Sequence, residues 1–350
     1  MSNAVQASTT DDVHQKEAVC NSIRHNAAFT VPYVAMNALA TLVACYGLLQ
    51  NSTAVVIGAM IIAMLLGPIS GMALALVGGD HSLFRRALSA EVGGALVVLG
   101  VAFIIGTIHR GLPLTGEILA RTSPNILDLM IALAGGAAGA YATVSPRLSV
   151  GLVGVAIATA LVPPLSVCSI CLARGETRLA FGGFLLFLAN LVAIQFASSV
   201  VMFLHGYHKI ATDPVNPGLF VRRHAPSFTL LVGLAGILGY NFSQSIAKEQ
   251  HEARARAHLE TALKSYPGVH LADLRFQQVD KKEIVTAVLR TPYSFSPERV
   301  AGLEATLSPG GKAPIELHIR SVITKETTRS GYLHELPQTA DASDADTAGR

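Results

Sequence analysis

The sequence predicts an all-α polytopic membrane bundle of about seven transmembrane helices, followed by a small C-terminal α/β domain of β-β-α-β order. Three observations predict it. Charge is scarce: 14% of the 350 residues are charged against 51% hydrophobic, where soluble domains carry about a quarter charged residues. Residues 26–50 and 53–77 contain no Lys, Arg, Asp or Glu, and about 20 such residues in a helix cross the hydrocarbon layer. Composition then turns polar from residue 247 onward, and the apolar part matches itself at an offset of 96 residues.

Residues 1–25 are polar and lack the basic-then-apolar order of a cleaved leader, so they read as a loose tail or short surface helix. Seven apolar stretches follow, at 27–49, 53–77, 87–108, 125–143, 149–172, 180–204 and 228–246, each near the length of a spanning helix. Short polar joints such as Gly79-Asp80-His81 and Arg174-Gly175-Glu176 separate them. The domain plan is therefore a tail (1–25), a three-helix repeat (26–110), a second one (111–206), and a loop with the seventh helix (207–246). A helix plus a small soluble domain occupies 247–328, and 329–350 is a polar tail expected to stay disordered. In the soluble domain, alternation predicts strands near 269–277, 283–289 and 315–323. Between the last two, Ser296 and Pro297 open a helix that buries Val300, Leu303 and Leu307.

The self-match lays Val56-Ile57-Gly58-Ala59-Met60-Ile61 over Leu152-Val153-Gly154-Val155-Ala156-Ile157, and Gly67-Pro68-Ile69-Ser70 over Pro163-Pro164-Leu165-Ser166. Each unit holds three helices, an odd number, so the second must enter the membrane with the opposite sense. Inverted repeats with interrupted helices recur in secondary transporters, whose sites lie between the breaks. A proline frees carbonyls one turn upstream, and in hydrocarbon these need protein or a watery cavity. Gly67, Pro68, Ser70, Pro163, Pro164 and Ser166 are thus candidate lining for a solute or ion pathway. The alternative is a pair of kinked helices whose serines bond back to their own backbone.

Other polar groups inside spans join this list. Glu91 lies a turn inside the third stretch, and an acid in a membrane helix is a functional candidate. Asp128 and Asn125 sit at a helix entry where Ser123 can cap and Pro124 suits the first position. The alternative for Asp128 is a carboxylate tied to the helix start or snorkelling to the interface. Asn190 and Gln195 either line the pathway or join helices by hydrogen bonds. Cys168 and Cys171 share a helical face but have no second pair nearby, so they read as small packing residues. The run Gly135 to Ala140 lets backbones approach, which reads as a packing or oligomer surface.

The 12 histidines show no metal-ligand spacing, and no nucleophile elbow, phosphate loop or H-E-x-x-H motif occurs. No enzyme activity, cofactor or metal is expected. A net charge of +3 without a basic cluster gives no nucleic-acid partner. The expected partners are the lipid bilayer, a small solute or ion, and further copies of the chain.

The motif Glu117-Ile118-Leu119-Ala120-Arg121-Thr122-Ser123-Pro124-Asn125, running into Asp128-Leu129 and Gly135-Gly136-Ala137-Ala138-Gly139-Ala140-Tyr141, resembles the domain of unknown function 389 family. Val56-Ile57-Gly58-Ala59-Met60 with Gly67-Pro68, and Leu161-Val162-Pro163-Pro164, carry the same likeness, which covers 51–204. The resemblance implies a hydrophobic membrane protein of bacteria or archaea and supplies no substrate. Many family members carry a soluble domain ahead of the membrane part; here the soluble domain follows it, and no role transfers. Loop charges favour an inner-membrane protein with a cytoplasmic N-terminus. Seven spans then put the C-terminal domain outside, although Lys248, Arg254 and Arg256 count against that. The expected function is a secondary transporter or solute-conducting protein; the alternative is a membrane-anchored sensor or assembly protein acting through its C-terminal domain.

Overall fold

The computed structural model describes residues 2–145, 161–209, 217–279, 282–307, 315–324, 326–329 and 331–333. Its chain divides into two units, Met1–Phe242 and Ser243–Arg350. The first contains α1 (Ser2–Asn26), α2 (Val31–Leu49), α3 (Thr53–Ile62), α4 (Leu66–Gly78), α5 (His81–Ile108), the short α6 (Gly116–Leu119), α7 (Ile126–Val144), α8 (Val162–Ala173) and α9 (Thr177–Leu204). A 3₁₀ turn at Tyr207–Lys209 precedes α10 (Pro217–Leu263), which supplies Leu231, Leu234 and Leu238 to the first unit's core.

The side-chain pattern of α5 identifies the solvent for which this unit is built. It buries Leu83, Ala87, Ala90, Glu91, Gly94, Val98, Ala102, Ile105 and Gly106 while leaving Leu96 63% and Ile108 70% exposed. Mostly small residues inside and large aliphatic ones outside reverse the aqueous arrangement. Lipid-facing helices behave this way, because close backbone packing rather than water exclusion holds them together. Four long helices and the 221–244 part of α10 are apolar enough to span a membrane. The pair α3–α4, bent by 54° at its break, makes a sixth span. The expected span at 149–172 is described only in its second half, as the 12-residue α8; its first half lies outside the described residues. The chain is a membrane protein.

Helix ends follow local chemistry. Thr30 caps α2, its hydroxyl accepting the Tyr33 N–H at 3.3 Å, and Asp80 caps α5 by accepting the Leu83 N–H at 2.9 Å. Gly79, at φ 74°, ends α4 in the left-handed conformation that glycine adopts without strain. The cap of α7 differs from expectation: it is Asn125, not Ser123, and the helix starts at Ile126 rather than Pro124. Asn125 and Asp128 form a reciprocal capping box that satisfies two orphan donors at once, which a lone serine cannot do.

Lengths and contacts recur. α2 and α7 have 19 residues each, and α5 and α9 have 28 each. α2 packs on α5 and α7 on α9, while α5 packs on α8 and α9 on α4. Glycines set these approaches: a Cβ at Gly106 would stand 2.9 Å from Ile170 Cα, and one at Gly136 2.7 Å from Ile194 Cα. The Gly135–Ala140 run therefore uses Gly136 within the chain, against α9. Gln195 and Ser199 bond within α9, whereas Ser198 donates across to the Gly136 carbonyl at 3.5 Å. Cys168 and Cys171 are buried free thiols, as are Cys20 and Cys45.

At the chain's ends, residues 2–26 form a helix, the second of the two forms expected there, and Cys20 and Ile23 bury an apolar edge against the bundle. The exposed helix expected at 248–264 is the continuation of α10, with no break after the apolar stretch.

The second unit holds β1 (His270–Val279), β2 (Lys282–Thr291), α11 (Pro297–Leu307) and β3 (Ile315–Ile323). β1 and β2 pair antiparallel, while β2 and β3 run parallel across the α11 crossover. Val285, Ala287, Leu289, Leu303 and Leu317 are core here, joined by Ala255, Leu259 and Leu263 of α10. A further hairpin, β4 (Glu326–Thr328) with β5 (Gly331–Leu333), occupies part of the stretch expected to be tail; residues 334–350 lie outside the described residues. Beside β1, the Arg275 guanidinium hydrogen-bonded to Asp273 at 2.8 Å holds that carboxyl below its usual range.

Candidate functional site

The α3–α4 break is a direct consequence of Pro68. Its ring fits the first turn of α4, where no N–H partner is needed, but would collide with the residue 64 carbonyl if the helix ran on. The chain therefore leaves helical geometry at Ala63, which is extended at ψ 143°. The freed Met64 N–H is taken up by α2, donating to Asn37 Oδ1 at 2.9 Å. Asn37 is fully buried, and its Nδ2 donates to the Tyr33 carbonyl at 3.0 Å. Nothing in the sequence reading singled out Asn37; its only signal is being a lone amide in an uncharged span.

This break borders a cavity of about 770 Å³ lined by Asn26, Pro32, Met36, Met64, Gly67 and Ser70, and by Thr143 at the C-terminal end of α7. The inner end of α1 forms one wall, where a Cβ on Gly67 would run into the Asn26 carbonyl. A second cavity, of about 370 Å³, is lined by Glu117, Arg121, Asp128, Ala132, Pro164 and Asn190. Asp128 and Thr143 lie fifteen residues apart on α7, about 22 Å at 1.5 Å per residue. The two cavities thus meet opposite ends of one helix; the first borders the α3–α4 break, and the second takes Pro164 from the first turn of α8.

The predicted residues are therefore divided. Gly67 and Ser70 share the first cavity; Asp128, Pro164 and Asn190 share the second. Asn125 acts as the α7 cap, and the Asp128 carboxylate accepts the Asn125 N–H at 2.8 Å, so its capping role and its place in the cavity coexist. Pro68 and Pro163 are buried in helix packing. Ser166 Oγ is fully buried and makes no hydrogen bond to nitrogen or oxygen; the Cys45 side chain is its neighbour. Glu91 is buried on α5.

Two charged residues of the second cavity were quoted only as motif letters. Glu117 and Arg121, four apart, form an ion pair at 2.6 Å. The segment holding them is stapled to the α2–α3 joint: Thr115 donates to the Leu48 carbonyl at 2.6 Å, and the Glu117 N–H donates to Asn51 Oδ1 at 2.9 Å. The Thr53 hydroxyl donates to Glu117 Oε1. That bond first, then Arg121, holds the Glu117 carboxyl below its usual range. Its contribution to stability is therefore complete above about pH 4.3, the ordinary glutamate value, and is lost as pH falls through the lower folded value. Thermal melts in detergent should show an acid-side loss of stability that Glu117→Gln reduces; equal acid slopes in both proteins would refute it. Among the described residues no three His, Cys, Asp or Glu side chains group as a metal site.

The family model described as Domain of unknown function (DUF389) matches residues 60–196. Residues 60–196 are a DUF389 domain. Uncharacterized protein MJ0678 of Methanocaldococcus jannaschii is 33% identical to this chain over 171 residues, 48% of this chain and 52% of that protein. The chain thus spans about half the length of the curated relative it matches. The DUF389 stretch contains Glu91, the Glu117–Asp128 motif, Asn190, Gly67-Pro68 and Pro163-Pro164. Tyr33, Asn37 and Thr53, which complete the two sites, lie ahead of it.

Proposed function

We propose that this DUF389-containing protein is a secondary transporter or solute-conducting membrane protein, built from two inverted three-helix repeats with its pathway between the two proline-broken helices. The observation that carries this reading is the pair of cavities at opposite ends of α7, one bordering the α3–α4 break and the other lined by Pro164 of α8. The repeat relation supports it residue by residue. Pro32 and Met36 line the first cavity, and 96 positions later Asp128 and Ala132 line the second. The reciprocal packing of α5 on α8 and α9 on α4 is the contact pattern that a two-fold axis in the membrane plane produces. In this reading 149–172 is the second broken span and completes seven. Two half-paths entering from opposite ends toward a site between the repeats are the arrangement that alternating access uses.

Purified protein in liposomes should move at least one member of a panel of inorganic ions and small polar solutes. Ser70→Val and Asn190→Leu should each reduce that flux severalfold with unchanged melting temperature. A panel that is neither moved nor bound by the wild type would sink the reading. The separate core of the Ser243–Arg350 unit favours a second reading, a membrane-anchored sensor or assembly protein. Truncation from residue 248 separates the two, since a transporter keeps solute binding and a sensor loses its output.

A further inference from the structure

Glu91 is 2% exposed, in the middle of a helix facing lipid on its other side, and neither carboxyl oxygen has a hydrogen-bond partner. An ionised carboxylate left so would cost several kcal/mol even after relaxation, so the site suits the neutral acid. Among the described residues no hydrogen bond or ion pair compensates a charge there. From α2 the only titratable group at this level is Tyr33, whose hydroxyl donates to the neighbouring Ala90 carbonyl at 3.1 Å. α4 carries no titratable or charged side chain. α8 offers only Cys168 and Cys171, near Ser169, which bonds the Leu99 carbonyl two turns along α5. On α5 itself His81, Arg85 and Arg86 belong to the first turns, and both arginines are exposed.

Packing does not demand an acid here. At the repeat offset of 96, the positions of Glu91, Tyr33 and Asn37 are filled by Phe187, Leu129 and Leu133, and the other half of the bundle folds with these three apolar residues. The polar trio belongs to the first half alone. It is also linked to the break: Asn37 bonds Tyr33 on one side and the Met64 N–H on the other. On α2, Tyr33 stands between Pro32 and Met36, both lining the first cavity.

We propose that Glu91 is a proton-binding site, loaded and occluded in this conformation, which exchanges its proton with water in the first cavity when the α3–α4 break shifts. This rests on the transport reading and names its coupling ion. The step is a simple one: the Glu91 O–H bond breaks, the proton passes to cavity water, and the carboxylate remains to be reloaded. A metal cation is disfavoured, because no three His, Cys, Asp or Glu side chains group as a metal site among the described residues, and hard cations take six or more oxygen ligands.

Infrared difference spectroscopy on the full protein in liposomes tests the site without any solute. At neutral pH the wild type should show a protonated-carboxyl C=O band that Glu91→Gln lacks, that shifts on transfer to D2O, and that gives way to a carboxylate band as pH rises. Glu91→Gln keeps shape and neutrality, and its melting temperature checks the fold. Coincident spectra for the two proteins would overturn the proposal, as would a band that persists unshifted in D2O, the mark of a sealed structural acid. Solute flux is measured separately, so a missing flux with an exchanging band sinks the transport reading and spares the proton site. A flux that persists with coincident spectra does the reverse.

Discussion

Asn37→Leu is expected to destabilise the protein by about 2–3 kcal/mol and to abolish any solute flux. The size follows from what is left behind. Leucine fills the volume but cannot accept the Met64 N–H or donate to the Tyr33 carbonyl. A buried donor without a partner costs about 1–3 kcal/mol, and within a bilayer no water can rescue it. The Thr41 hydroxyl, which bonds the Asn37 backbone carbonyl at 2.6 Å, keeps its partner, so the damage is confined to the break. Two measurements check this: the unfolding midpoint in detergent and flux in liposomes. Unchanged stability would mean that the break carries its own hydrogen bonding and that Asn37 does not hold it. Asn37→Gln, which retains both functions on a longer arm, should fall between the two.

The break itself was legible because its cause is local. Pro68 and Pro164 stand in register, and the effect of proline on the upstream turn does not depend on what surrounds it. The strands and helix of the second unit were legible for the same reason: period-two alternation and the Ser296-Pro297 start act within a few residues. Asn37 was not legible, because its importance is created by Met64, 27 residues away, arriving beside it. Glu117 and Arg121 were visible as a motif, but the Thr53 hydroxyl and Asn51 amide that turn them into a fixed wall come from 64 and 66 residues upstream. Ser166 differs from Ser70 in its surroundings. Its register with Ser70 is real, yet α8 is buried on nearly every side and α4 is not, so one serine lines a cavity and the other faces Cys45.

Gly136→Leu should prevent a stable fold, whereas Gly100→Leu should be nearly neutral. Both glycines lie in long apolar helices, and composition alone does not separate them. A Cβ at Gly136 would stand 2.7 Å from Ile194 Cα and 3.2 Å from its carbonyl oxygen, both backbone atoms that cannot rotate aside. Leucine would have to push α7 from α9, against which it packs closely. Overpacking a well-filled core costs about 1–3 kcal/mol and sometimes more. In a bilayer the lost contact is the main force holding the pair, since lipid tails compete on equal terms with apolar side chains. Separation would also break the Ser198 hydrogen bond to the Gly136 carbonyl. At Gly100 a Cβ meets nothing within 4 Å, and the added side chain joins Leu96 and Ile104 on the exposed face of α5. Size-exclusion profiles and detergent melts of the two variants give the comparison. Equal tolerance at both positions would mean that α7 and α9 are not packed backbone to backbone, and the α7 helix that joins the two cavities would lose its fixed place in the bundle.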